Sequence, residues 1–229
     1  SNADDAFPDE VTQWADADSD GFGDNTQGVT PDACPTVPGT STIDRLGCFD
    51  ADEDGYSNSD TTWNVGNGAD YFPNDPTQWS DFDEDGFGDN WGNSSWTDRK
   101  SSWPGEMVMD ATTQDACPTR SGNSWQDDTL GCPDADGDGW YDLMDAFSSD
   151  ATQWEDADMD GYGDNASGNQ PDACPSVAGN STIDRFGCMD SDGDGYSNAD
   201  FSWGYDMGGD AFPDEPTQWA DGDSDGFGE

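Results

Sequence analysis

Apolar positions along this chain are mostly single aromatic rings set into long polar stretches, and they recur at fixed places. One ring follows the glycine of each copy of an acidic phrase, Asp-x-Asp-x-Asp-Gly, at Phe22, Tyr56, Phe87, Trp140, Tyr162, Tyr196 and Phe227. A tryptophan ends a Thr-Gln-Trp triplet ahead of some of these phrases, at Trp14, Trp79, Trp154 and Trp219. The flanks are rich in Gly, Pro, Ser and Asn, which leaves no amphipathic helix beside any phrase. Helix is expected only as one or two turns at Thr-Gln-Trp, where Pro76 and Pro216 suit a first turn. The rings are expected to gather in small clusters over the acidic loops.

Alternating aspartates put a carboxylate at every second position, and the glycine lets the backbone turn sharply. That arrangement wraps oxygen atoms around a hard cation, for which Ca²⁺ is the usual guest. The fourth copy is the most regular. Asp134, Asp136, Asp138, Asp142 and Asp145 occupy positions 1, 3, 5, 9 and 12, Gly139 is at 6, and Trp140 offers its carbonyl at 7. This is the spacing of an EF-hand loop without the EF-hand's helices. The other copies postpone the last acid. The first uses Asp16, Asp18, Asp20, the Phe22 carbonyl, Asp24 and then Asp32. The second uses Asp50, Asp52, Asp54, Tyr56, Asn58 and Asp70, and the third Asp81, Asp83, Asp85, Phe87, Asp89 and Asp115. The fifth uses Asp156, Asp158, Asp160, Tyr162, Asp164 and Asp172, and the sixth Asp190, Asp192, Asp194, Tyr196, Asn198 and Asp210. The seventh begins with Asp221, Asp223 and Asp225. Asn58 and Asn198 supply a neutral carbonyl oxygen and lower the charge of their sites. A complete loop brings about five carboxylates, so one Ca²⁺ leaves roughly −3 and two leave roughly −1. More than one ion is therefore expected in most complete loops.

A longer repeat contains these phrases: Thr-Gln-Trp, an acidic phrase, Asp-Ala-Cys-Pro, Gly-Cys, a second acidic phrase, then Asp-Ala-Phe-Pro or a near variant. Units fall at 4–69, 70–144 and 145–209, with a truncated fourth at 210–229. Ser41-Thr-Ile-Asp-Arg-Leu-Gly-Cys48 matches Ser181-Thr-Ile-Asp-Arg-Phe-Gly-Cys188, whereas the middle unit has Trp125–Thr129 there and a Trp-rich insertion at 91–114. Residues 1–3 have the look of an expression scar, and the incomplete loops at both ends suggest a piece of a longer array.

The cysteines form three local couples, Cys34 with Cys48, Cys117 with Cys132, and Cys174 with Cys188. Their even number and regular spacing point to disulfides in an oxidising compartment. Pairing within each couple is expected, with cross-pairing between units as the alternative. Zinc fails as a reading, because the couples are not Cys-x2-Cys and the chain has no His. Each local bridge would close a loop of about 15 residues, worth about 3 kcal/mol in the chain-entropy account.

Composition sharpens the expectation. The 229 residues carry 53 acids against 5 bases, for a net charge of −48. Leu, Ile, Val and Phe make up about a tenth of the chain, too few to offset the entropy of ordering it. Without metal the chain is expected to be disordered. Nucleic acid is excluded as a direct partner by repulsion from phosphates. No run is apolar enough for membrane insertion. An enzyme is not expected, since no nucleophile–base pair and no phosphate loop can be found.

The recurrent Asp-x-Asp-x-Asp-Gly-x-x-Asp phrases with Cys-Pro nearby resemble the thrombospondin type 3 repeat, over nearly the whole chain. The resemblance implies an irregular fold with little regular secondary structure, an elongated calcium-stabilised repeat array wrapped around rows of Ca²⁺, often two per repeat. It also implies an extracellular or cell-surface location. The function then expected is a calcium-binding spacer or stalk whose partners are calcium and the neighbouring repeats. The alternative is an adhesive module that binds glycan or protein through Trp91, Trp96 and Trp103, beside Arg99 and Lys100. Arg45 and Arg185 are expected to brace nearby carboxylates. Asn93, Asn165 and Asn180 lie in N-glycosylation patterns.

Overall fold

A computed structural model describes residues 5–92, 96 and 102–228. The chain divides into two compact units, Ser1–Cys132 and Pro133–Glu229, so the division falls inside the second sequence repeat. The first holds three acidic loops and two of the disulfides; the second holds four loops and one disulfide. All three bridges join the cysteines of one local couple, which settles the choice against cross-pairing.

Regular structure is sparse. Among the described residues helix is limited to short 3-10 turns such as Val65–Asn67 and Tyr205–Met207, each ended by a left-handed glycine, Gly68 or Gly208. At Thr-Gln-Trp the chain makes one hydrogen-bonded turn and no helix: Gln78 N donates to Asp75 O at 2.9 Å, and Gln153 N to Asp150 O at 2.9 Å. Only isolated parallel bridges replace a sheet among the described residues, including Gly23 with Pro31 and Asn58 with Asp70.

The interior is polar. Among the described residues no Leu, Ile, Val or Phe is fully buried, while Gln78, Gln153, Asn90, Asp70, Asp115 and Asp210 are. Each buried glutamine staples the backbone around a loop. Gln78 Nε2 donates to the Asn90 and Thr112 carbonyls at 2.9 and 2.6 Å, and its Oε1 accepts Asn90 N at 2.9 Å. Asn90 Nδ2 returns a bond to Thr77 O. Gln13 with Asn25 and Gln153 with Asn165 repeat the arrangement. Asn165 Nδ2, in one of the glycosylation patterns, donates to Thr152 O at 2.8 Å.

Some of the recurrent rings pair between successive elements. Tyr56 of the second loop stacks on Trp79, 5.2 Å between centroids, and Tyr196 of the sixth stacks on Trp219 at 5.1 Å.

Candidate metal centres

Each acidic loop is organised by its own first aspartate. Asp81 Oδ1 accepts Glu84 N at 2.7 Å and its Oδ2 accepts Gly86 N at 2.8 Å, which folds the phrase back on itself. Asp134 and Asp190 hold Gly137 with Gly139 and Gly193 with Gly195 in the same way. The fold-back needs left-handed backbone at positions 4 and 6. Position 6 is always glycine, but position 4 is Ser19 (φ 68°), Glu53 (φ 65°), Glu84 (φ 63°), Met159 (φ 65°) or Ser224 (φ 60°) in five loops. The result gathers acids 1, 3 and 5. One carboxylate oxygen from each lies within 4.8 Å of the others in the groups Asp16/Asp18/Asp20, Asp50/Asp52/Asp54, Asp81/Asp83/Asp85, Asp134/Asp136/Asp138 and Asp156/Asp158/Asp160.

The postponed closing acids come home. Asp32 N donates to Gly23 O, Asp70 N to Ser57 O, Asp115 N to Gly88 O, Asp172 N to Gly163 O and Asp210 N to Ser197 O, all at 2.8–3.0 Å. In the loop with no insertion, Asp145 N donates to Tyr141 O at 3.0 Å. Every one of these bonds ends on the position-8 carbonyl, whatever length of chain intervenes. Position 9 is clasped as well: Asp24 N reaches Ala15 O, Asn58 N reaches Phe49 O and Asp142 N reaches Pro133 O. The carbonyls of Phe22, Tyr56, Phe87, Trp140, Tyr162 and Tyr196 accept no hydrogen bond among the described residues.

The carboxylates themselves are half-satisfied. In each closing acid Oδ1 accepts the N–H two residues on, as Asp115 does from Cys117 and Asp70 from Phe72. The second oxygen of Asp32, Asp70, Asp115, Asp172 and Asp210 is buried with no hydrogen-bond partner. Both oxygens of Asp18, Asp52, Asp83 and Asp158 are in the same condition, as are Oδ2 of Asp54, Asp136, Asp138, Asp192 and Asp194. Burial, reinforced by neighbouring carboxylates, pushes the Asp115 carboxyl up to about 8 and Asp70 to about 7, with Asp32, Asp54 and Asp83 at about 6. Buried carboxylates at this density are costly to leave ionised and unpartnered, a cost that either a proton or a bound cation relieves. The donors are all oxygen: the chain has no His, and no cysteine among the described residues is free. That set suits a hard divalent cation.

No protein-family model and no curated protein matches the chain.

Arg45 braces as expected. It pairs with Asp60 at 2.6 Å, donates to Ser57 Oγ and Asn58 O, and lies over the Trp63 ring; Arg185 repeats this with Asp200, Ser197, Asn198 and Trp203. The Arg45 guanidinium, helped by Thr62, holds Asp60 well below the usual carboxylate range. Trp91 and Trp96 of the insertion are buried, and Trp103 meets both edge-on at 5.8 and 5.4 Å. Arg99, Lys100 and Asn93 lie outside the described residues, as do residues 1–3. Sequence reasoning missed the Gln–Asn staple and the linking acids Asp44 and Asp184. The staple had a visible signal, since Gly-Asp-Asn recurs at 23–25, 88–90 and 163–165, each following a Thr-Gln-Trp.

Proposed function

We propose that this chain is a calcium-binding structural module, a spacer or stalk of a larger secreted or cell-surface protein, similar in kind to the thrombospondin type 3 repeats. The observation that carries the reading is the row of buried, unpartnered carboxylate oxygens at positions 3 and 5 and on the closing acids, repeated in loop after loop. Acids 1, 3 and 5, the position-7 carbonyl, Asp or Asn at 9 and the closing acid would hold Ca²⁺, which supplies positive charge and fixes the loop. The charge count favours more than one ion per complete loop. Three disulfides fit an oxidising compartment. No helix among the described residues is long and apolar enough to cross a membrane.

With ions in place, repeats that touch only their neighbours would form an elongated body, rigid where calcium is plentiful and slack where it is scarce. The adhesive alternative gains little from tryptophans of which two are buried. Small-angle scattering tests the proposal. A stiff, extended profile with calcium that loosens in excess chelator supports it, and a compact globule in both conditions contradicts it. Calorimetric titration should find more ions than complete loops; one or fewer per loop would contradict the ion count.

A further inference from the structure

The strap that leads from one acidic loop to the next is bonded to both. Residues 39–47 follow the first loop and precede the second. On the first-loop side, Gly39 N donates to Asp20 Oδ2 at 3.1 Å and Ala33 N to Leu46 O at 2.9 Å. Gly47 lies against the closing acid so closely that a Cβ there would sit 2.5 Å from Asp32 Oδ1. On the second-loop side, Thr42 N and Ile43 N both donate to Gly55 O at 2.9 Å, which fixes the position-6 turn. Asp44 takes Ser57 N at 2.8 Å, Ser57 Oγ at 2.6 Å and Trp63 Nε1 at 3.1 Å. Ser57 is the position-8 residue whose carbonyl clasps Asp70. One short segment therefore holds two acids of the first loop and two backbone anchors of the second.

The third repeat builds the same strap from 179–187. Gly179 N meets Asp160 Oδ2 at 2.9 Å, Thr182 and Ile183 meet Gly195 O, and Asp184 grips Ser197 and Trp203. The first half of the strap recurs in the middle repeat. Gly122 N donates to Asp85 Oδ2 at 3.0 Å and Ala116 N to Leu130 O. Its Trp125–Thr129 stretch lacks Thr-Ile-Asp-Arg, and position 8 of the fourth loop is Tyr141 in place of serine.

We propose that the two complete straps each join their flanking loops into one cooperative two-loop unit, loops one with two and five with six. Asp44 and Asp184 are the positioning residues that carry the link. The inference rests on the calcium reading. Filling the first loop fixes Asp20 and Asp32, and with them the strap; the second loop then meets calcium with positions 6 and 8 already ordered, so its ordering cost falls.

The test is a calcium titration of the full chain, followed through the amide resonances of Gly55 and Gly195, which report loops two and six. Asp18→Ala removes a first-loop ligand and should raise the Gly55 midpoint about tenfold. Asp158→Ala should do the same to Gly195. In an Asp44→Ala background, adding Asp18→Ala should no longer shift Gly55, which separates a link from a merely local loosening of loop two. An unmoved Gly55 midpoint in Asp18→Ala overturns the coupling. An Asp18→Ala effect that survives Asp44→Ala removes Asp44 from the link. Resonances that ignore calcium up to about 10 mM would instead sink the calcium reading itself, and this proposal with it.

Discussion

Met159 sits at position 4 of the fifth loop, in left-handed backbone and almost fully exposed. A side chain gains nothing there and carries a conformational cost of about 1 kcal/mol. Loops four and six already place Gly137 and Gly193 at this position. Met159→Gly should therefore stabilise the calcium-loaded protein by at most about 0.5 kcal/mol, because the freer unfolded chain takes back roughly 0.5–1 kcal/mol of the relief. A lower melting temperature would contradict the assignment of strain.

The buried closing acids give a pH dependence of definite sign. Asp115 is raised from about 3.8 to about 8 and Asp70 to about 7. In the metal-free fold a raised carboxyl contributes stability below its unfolded pKa, and that contribution is lost as pH rises through the folded value. Protons and the proposed calcium would thus compete for the same oxygens between about pH 4 and pH 8. Calcium affinity should fall as pH is lowered across that window, with the loop closed by Asp115 weakened first. An affinity independent of pH from 8 to 5 would contradict it.

At the scale of the element, the acidic loop and its staple share the work. Gln153 is buried, holds two carbonyls and receives one N–H. Gln153→Ala would strand these groups, at a cost of about 2–3 kcal/mol to the loaded form, whereas exposed Gln27→Ala should cost almost nothing. Thermal unfolding in saturating calcium separates the two; equal effects would rule out the staple.

The loops were legible in the sequence because their ligands are local: Asp134 to Asp145 can be numbered directly from the phrase. The delayed acids were legible through recurrence, since Asp32, Asp115 and Asp172 always open Asp-Ala-Cys-Pro. The position-8 clasp that receives them was not. It is a backbone bond and leaves no mark on residue identity, as Gly23, Ser57 and Tyr141 all serve. Nor was the role of Asp44, because a chain with 53 acids gives no reason to single one out. Position 4 was hidden for the opposite reason: Met159 and Glu84 occupy a conformation that their residue types disfavour.

For the whole molecule, buried groups that in most proteins would be aliphatic are aspartate, asparagine, glutamine and serine. A polar interior has no hydrophobic drive of its own, and with a net charge of −48 the chain repels itself. Bound divalent cations would supply the missing cohesion. Reduction of the disulfides, at about 3 kcal/mol for each of the three bridges, should weaken the loaded protein markedly, yet leave it folded if the ion loops carry the larger share of its stability. Collapse on reduction in saturating calcium, seen as loss of near-ultraviolet dichroism, would shift the central role from the cations to the bridges.

The most direct measurement is amide hydrogen exchange at the closing acids, Asp32, Asp70, Asp115, Asp172 and Asp210, with calcium and then with excess chelator at neutral pH. If cations take the place of an apolar core, these N–H groups are protected in calcium, exchange at nearly the unfolded rate after chelation, and recover when calcium returns. Protection that persists in chelator would mean that the polar interior holds itself together, and the account would be wrong.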